Sequence, residues 1–103
     1  MYKIEYLPIA LKDMVEIVKY ISHTLKNPEA ASNLAESFIE KAESLLKFPY
    51  KNPVCQLIRP LKYEYRKILV ENYIMFYKVD EEKKLVTVAR VIYAKRDFSN
   101  LLK

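Results

Sequence analysis

The chain has 103 residues, 18 Lys and Arg against 13 Asp and Glu, a net charge of +5, and about half of its residues are hydrophobic. That is the size and composition of one globular domain, 1–103, with a core of its own. One cysteine, Cys55, and no glycine exclude a disulfide framework, a four-thiolate zinc site, a Gly-rich phosphate loop and a dinucleotide-binding turn. No apolar run approaches the roughly 20 residues of a membrane span, and the first twenty residues lack the apolar core of a signal peptide. The expectation is a protein of the reducing cytoplasm, with no membrane contact.

The charge is uneven. Residues 1–48 hold six Lys and seven Asp or Glu, whereas 49–103 hold twelve Lys or Arg and six Asp or Glu. The positive excess in the second half suits a polyanion or an acidic protein as partner. Without glycine, turns fall to Asn, Asp and Pro.

In chain order, "YKIEY" (2–6) alternates apolar and polar residues, the pattern of a half-buried strand. Pro8 then opens a helix, where its missing N–H costs nothing. Leu7, Leu11, Met14, Val18, Ile21 and Leu25 recur every three or four residues, predicting one apolar stripe along about five turns. Asn27 before Pro28 ends this helix and caps the next. That second helix carries Ala31, Leu34, Phe38, Ala42 and Leu45, with Ala35, Ile39 and Leu46 beside them. The two make an antiparallel hairpin. Residues 48–63, with three of the five prolines, read as a long irregular connection.

Three strands follow, at 64–70, 73–79 and 84–94, separated by Glu71-Asn72 and Asp80-Glu81-Glu82-Lys83. The strand at 73–79 is apolar on both faces and should be central. The Glu71-Asn72 turn has two readings: two residues, or three with Asn72 at positive φ and a bulge. The order β-α-α-β-β-β defines an α+β domain, an antiparallel meander sheet with the helical hairpin on one face.

With Tyr77 opposite Val86 and Tyr73 opposite Arg90, one sheet face holds Tyr73, Met75, Tyr77, Val79, Val86, Val88, Arg90 and Ile92. The other holds Ile74, Phe76, Lys78, Leu85, Thr87, Ala89, Val91 and Tyr93. The helices cover one face only. Burying Ile74, Phe76, Leu85 and Val91 is worth roughly 1.5–3 kcal/mol each, together comparable with a domain's net stability. A partner chain is therefore expected over Ile74, Phe76, Lys78, Leu85 and Val91. Arg90, between Val88 and Ile92, reads as a structural ion that needs a carboxylate or carbonyl partner. Lys95 and Arg96 follow the strand into solvent.

No nucleophilic triad can be assembled. His23 is the only histidine and lies on the polar side of its helix; Cys55 has no histidine nearby in the sequence. Glu36, Glu40 and Glu43 read as a solvated helix face, so no metal and no cofactor are expected. What remains is a set of Arg, Lys and Tyr: Arg59, Lys62, Tyr65, Arg66, Lys67, Tyr73, Tyr93, Lys95 and Arg96. Such groups stabilise charge on a transferring phosphate and move protons. They serve equally well as protein-interface anchors.

The element order, the hairpin "YRKILVENYIMFYKVD" and the closing "VTVARVIYAKRDFSNLL" resemble the RelE/ParE superfamily of toxins from type II toxin–antitoxin modules, whose members include plasmid-stabilisation proteins. The resemblance implies a small toxin held by a cognate antitoxin. RelE-like members cleave mRNA on the ribosome without metal, by attack of the ribose 2′-OH; ParE-like members inhibit DNA gyrase. The ribonuclease branch commonly places an Arg after the Tyr that opens the third strand, where this chain has Ile74 after Tyr73. Its tail often runs from basic residues into a Tyr, where Asp97 and Phe98 follow Lys95 and Arg96 here. "ARVIYAKRDF" is more similar to the ParE pattern Arg-Val-x-His-x-x-Arg-Asp, with Tyr93 in the place of the His. The preferred expectation is a ParE-like gyrase inhibitor; the alternatives are a RelE-like endoribonuclease and a non-toxic protein- or RNA-binding module. In the ribonuclease reading Tyr93, Lys95 and Arg96 are catalytic. The residues expected to contact target or polyanion are Arg59, Lys62, Arg66, Lys67 and Arg96.

Overall fold

The structure is a computed structural model and describes residues 1–54 and 64–95. Strand β1 (Lys3–Tyr6) leads into helix α1 (Pro8–Lys19), which continues as a single π-helical turn, Tyr20–Thr24. Helix α2 (Pro28–Ser44) follows, then β2 (Arg66–Val70), β3 (Tyr73–Asp80) and β4 (Leu85–Tyr93). The α+β class and the element order are those expected. The sheet order is β1-β4-β3-β2. Strands β2, β3 and β4 form the antiparallel meander, but β1 lies parallel to β4. The sheet is therefore mixed, because the helical hairpin acts as the long crossover that a parallel pair requires.

Both helices begin at a proline, and Asn27 Oδ1 accepts the Ala30 N–H at 3.1 Å to cap α2. Helix α2 buries the expected stripe, Ala31, Leu34, Phe38, Ala42 and Leu45. Helix α1 does so in part: Met14 is buried and Val18 and Ile21 pack on the core, with Ala10 and Ile17 beside them, while Leu11 and Leu25 are exposed, as is Val15. Asp13 helps to hold the buried side. It accepts Arg90 Nε at 2.7 Å and Nη2 at 3.0 Å, and the Val91 N–H at 3.0 Å. Strand β1 ends its pairing at Val88, so the Val91 N–H lies on an open edge, where a backbone donor needs a partner. Asp13 supplies it and ties α1 to β4 there.

The register of β3 against β4 differs from the expected one. Tyr77 pairs with Val88 and Val79 with Val86, a slip of two residues that preserves the faces. A bulge between Phe76 and Tyr77 then places Phe76 opposite Arg90, Met75 opposite Val91 and Tyr73 opposite Tyr93. Directly opposed residues share a face, so Val91 and Tyr93 lie on the helix side and Arg90 and Ile92 do not. Val91 belongs to the core cluster with Met14, Phe38 and Met75.

The expected open apolar face is not open. Ile74, Phe76 and Val91 are 7%, 0% and 2% exposed, and Lys78 and Leu85 are half-buried. Central strands that are apolar on both sides form the middle of a layered domain, and this chain buries both sides itself. These side chains do not form the open docking patch that was expected.

Among the described residues, three have positive φ: Lys26 (53°), Glu71 (55°) and Lys84 (52°). The Asn and Asp residues beside them have other tasks. Asn27 caps α2, the Asn72 carbonyl accepts the Ala94 N–H, and Asp80 Oδ1 accepts the Lys83 N–H. The Glu71-Asn72 turn has two residues, with Val70 opposite Tyr73, and its positive φ falls on Glu71. A residue with a Cβ in that region carries about 1 kcal/mol of steric cost. Glu71→Gly is therefore expected to raise the melting temperature by a few degrees, about 0.5–1 kcal/mol. A fall in thermal denaturation would contradict this.

Candidate functional site

Two helices packed on a sheet leave their outer side to solvent, and here that side is apolar. Leu11, Val15 and Val18 of α1 and Ala35 and Ile39 of α2 line one recess between the helices. The result is a groove of about 320 Å³ along the hairpin, with Met14 and Phe38 in its lining and Lys19 as its charged residue. Val15 is 51% and Ile39 45% exposed. The sequence signal for this surface was present. Ile9 and Val15 lie off the expected stripe, so α1 is apolar over more than one face.

The basic and aromatic candidates divide between two ends of the sheet. At one end Arg66, opposite Tyr77, is engaged with its own chain. Its Nη1 donates to the Asn52 carbonyl at 2.6 Å and the Tyr50 carbonyl at 3.3 Å. Its guanidinium lies 5.1 Å from the Tyr50 ring centre and its Nη2 is 3.5 Å from Glu64. Lys67 is half-buried, and its backbone N–H donates to Pro53. The buried Tyr77 hydroxyl donates to the Pro49 carbonyl at 2.8 Å, and burial raises its pKa. These bonds fasten residues 49–54 along β2.

At the other end Tyr93 packs edge-on against Tyr73, centroids 5.8 Å apart, and Tyr73 packs against Phe38 at 6.0 Å. Tyr93 and Lys95 are exposed. Four residues of β3 separate this end from Arg66, about 14 Å at the usual strand rise. Tyr93 is thus not brought to Arg66. Cys55, Arg59, Lys62 and Arg96 lie outside the described residues. Among the described residues, His23, Glu36, Glu40 and Glu43 are exposed, and no three His, Cys, Asp or Glu are grouped to hold a metal. No described helix is long and apolar enough to cross a membrane.

A third cluster was not anticipated. Glu81, in the β3–β4 turn, accepts Tyr2 Oη at 2.6 Å and Tyr50 Oη at 3.0 Å, and pairs with Lys84. It ties the N-terminal strand, the segment after α2 and the turn together. The Lys84 bond, then the two tyrosine bonds, pull the Glu81 carboxyl down from 4.5 to about 2.

The geometry is that of a small helix-on-sheet domain, and the comparisons with known proteins identify its class. The profile of the "ParE toxin of type II toxin-antitoxin system, parDE" family matches residues 4–98. The chain therefore belongs to the ParE toxin family, and it is a type II toxin–antitoxin toxin. Among solved structures it is similar to the chromosomal ParDE system from P. aeruginosa: TM-score 0.72, 15% identity, covering 92% of this chain and 98% of that one. It is also similar to the RelBE2 toxin–antitoxin complex from Mycobacterium tuberculosis, with TM-score 0.63 and 18% identity over 89% and 96% of the two chains. For the intact E. coli RelBE complex the values are 0.59 and 22%, over 93% and 100%. These likenesses establish the fold. No curated protein sequence matches the chain.

Because the folded-state pKa of Glu81 is depressed, its stabilisation is complete above the unfolded value and is lost as pH falls through the folded one. Stability from this clamp should be full above about pH 4.5 and fade toward about pH 2. The melting-temperature gap between the wild type and Glu81→Gln is expected to close over that range, and to narrow in high salt because the pair is exposed. A gap independent of pH would contradict the assignment.

Proposed function

We propose that this toxin acts on DNA gyrase by binding it, and that an antitoxin silences it by laying an amphipathic helix into the α1–α2 groove. The observation that supports a binding poison is the distance between the tyrosine end of the sheet and Arg66, an expected phosphate contact. Tyr93 stacks on Tyr73 at one end of the sheet, while Arg66 is held by the carbonyls of Tyr50 and Asn52 at the other. A phosphoryl-transfer centre needs its acid–base group and its charge stabilisers within a few ångströms of one reacting phosphate. A protein that inhibits an enzyme by docking has no such need. Membership of the ParE family points the same way.

The groove suits an antitoxin for reasons of chemistry. Its lining is apolar apart from Lys19, which matches a helix with apolar anchors at i, i+3 and i+4 and an acidic flank. Each apolar anchor that it buries contributes roughly 1.5–3 kcal/mol. The net charge of +5 adds attraction to an acidic partner. The solved ParDE and RelBE structures from other organisms are toxin–antitoxin assemblies.

The ribonuclease reading keeps one supporting feature: Tyr93 and Lys95 are exposed beside each other at the end of β4. One pair of assays separates the readings. Purified wild-type protein should block gyrase supercoiling of plasmid DNA at micromolar concentration and leave mRNA on translating ribosomes intact. Supercoiling unaffected at micromolar excess ends the gyrase reading. Cleavage of ribosome-bound mRNA that is lost in Tyr93→Phe with Arg96→Ala would replace it with the alternative. Val15→Asp in the groove should weaken binding to the cognate antitoxin by about tenfold or more.

A further inference from the structure

At the end of the sheet opposite Glu81, three tyrosines converge on one recess of about 660 Å³. Tyr73 and Tyr93 face each other across β3 and β4, rings inclined at 64°. Tyr20 comes from the first position of the π turn, a local form that recurs at functional sites. Glu71 and Asn72 of the β2–β3 turn, with Asn27, form the remaining polar wall. Tyr20 and Tyr93 are each about half exposed, so their rings are not consumed by the core.

The electrostatics of this recess run against those of the chain. The protein carries +5, yet among the residues described as lining the recess there is no lysine or arginine, and the one charged group is the Glu71 carboxylate. The groups lie close enough to act on one another. After burial, the charges of Tyr93, Tyr20 and Glu71 all raise the pKa of Tyr73. Aromatic faces carry negative potential, and a cation within about 6 Å of such a face is attracted to it. Three tyrosine rings with a carboxylate at the rim make a cation receptor. A phosphate or a nucleotide would meet Glu71 as repulsion.

We propose that the recess bounded by Tyr20, Tyr73, Tyr93 and Glu71 receives an arginine side chain from a partner protein. The guanidinium would lie flat on the tyrosine faces and fork toward Glu71, a geometry that its planar set of donors favours over a compact ammonium. The recess is lined by residues other than those of the α1–α2 groove. It gives the toxin a second, charge-selective recognition point that does not depend on what fills the groove or on the gyrase reading.

The test is NMR titration of the isotope-labelled full chain with N-acetyl-arginine methylamide. The controls are its neutral isostere, N-acetyl-citrulline methylamide, and uridine monophosphate. Saturable shifts confined to the rings of Tyr20, Tyr73 and Tyr93 are expected with the arginine probe, and binding about tenfold weaker with the citrulline one. Glu71→Gln and Tyr20→Ala should each weaken arginine binding by about three- to tenfold with the melting temperature unchanged. Equal binding of arginine and citrulline, preference for the nucleotide, or arginine shifts insensitive to both variants would overturn the proposal.

Discussion

The carboxylate of Asp13 is the contact on which the arrangement depends. It receives two bonds from Arg90 and one from the backbone of Val91, and both side chains are nearly buried, 14% and 13% exposed. Helix α1 is apolar on two sides: Ala10, Met14 and Ile17 pack on the core with Val18 and Ile21 beside them, while Ile9, Leu11 and Val15 are exposed. Turning the exposed side inward would gain about one large side chain's burial, roughly 1.5–3 kcal/mol. It would also strand Arg90 and the Val91 N–H, and breaking a buried pair costs about 3–5 kcal/mol. The polar contact wins, and Leu11 and Val15 are left outside.

From that choice follows the character of the molecule. The sheet is covered on both sides, so the surface left for recognition is the back of the helical hairpin and the tyrosine recess at its end. The first is apolar and elongated; the second is small, aromatic and acidic. The Arg66 and Glu81 clusters tie the segments around the sheet together.

Much of this was legible in the sequence where one element carries one periodic signal. Helix α2 has a single stripe, and all of it is buried. Strand β3 is apolar on both faces and lies between two neighbours. Arg90 amid valines demanded a partner, though nothing in the sequence named Asp13, 77 positions away. What could not be read has physical causes. Helix α1 is apolar on two faces, so periodicity cannot choose between them, and the deciding interaction is long-range. The bulge beside Phe76 has no glycine to mark it, yet it moves Val91 and Tyr93 across the sheet. The tyrosine recess gathers residues from the π turn, the β2–β3 turn and one end of the β3–β4 ladder, which no local pattern joins. Positive φ on Glu71 and Lys84 was hidden because neither residue type marks the left-handed region as Asn or Asp does.

The most direct test is a double-mutant cycle of Asp13→Ala and Arg90→Ala, read by urea denaturation, with Asp13→Asn as a gentler substitute if the alanine variant does not fold. Residues that share one buried contact should show a coupling energy of about 2–3 kcal/mol. Effects that add to within about 0.5 kcal/mol would mean that the pair does not set the packing of α1, and that the apolar groove has another origin.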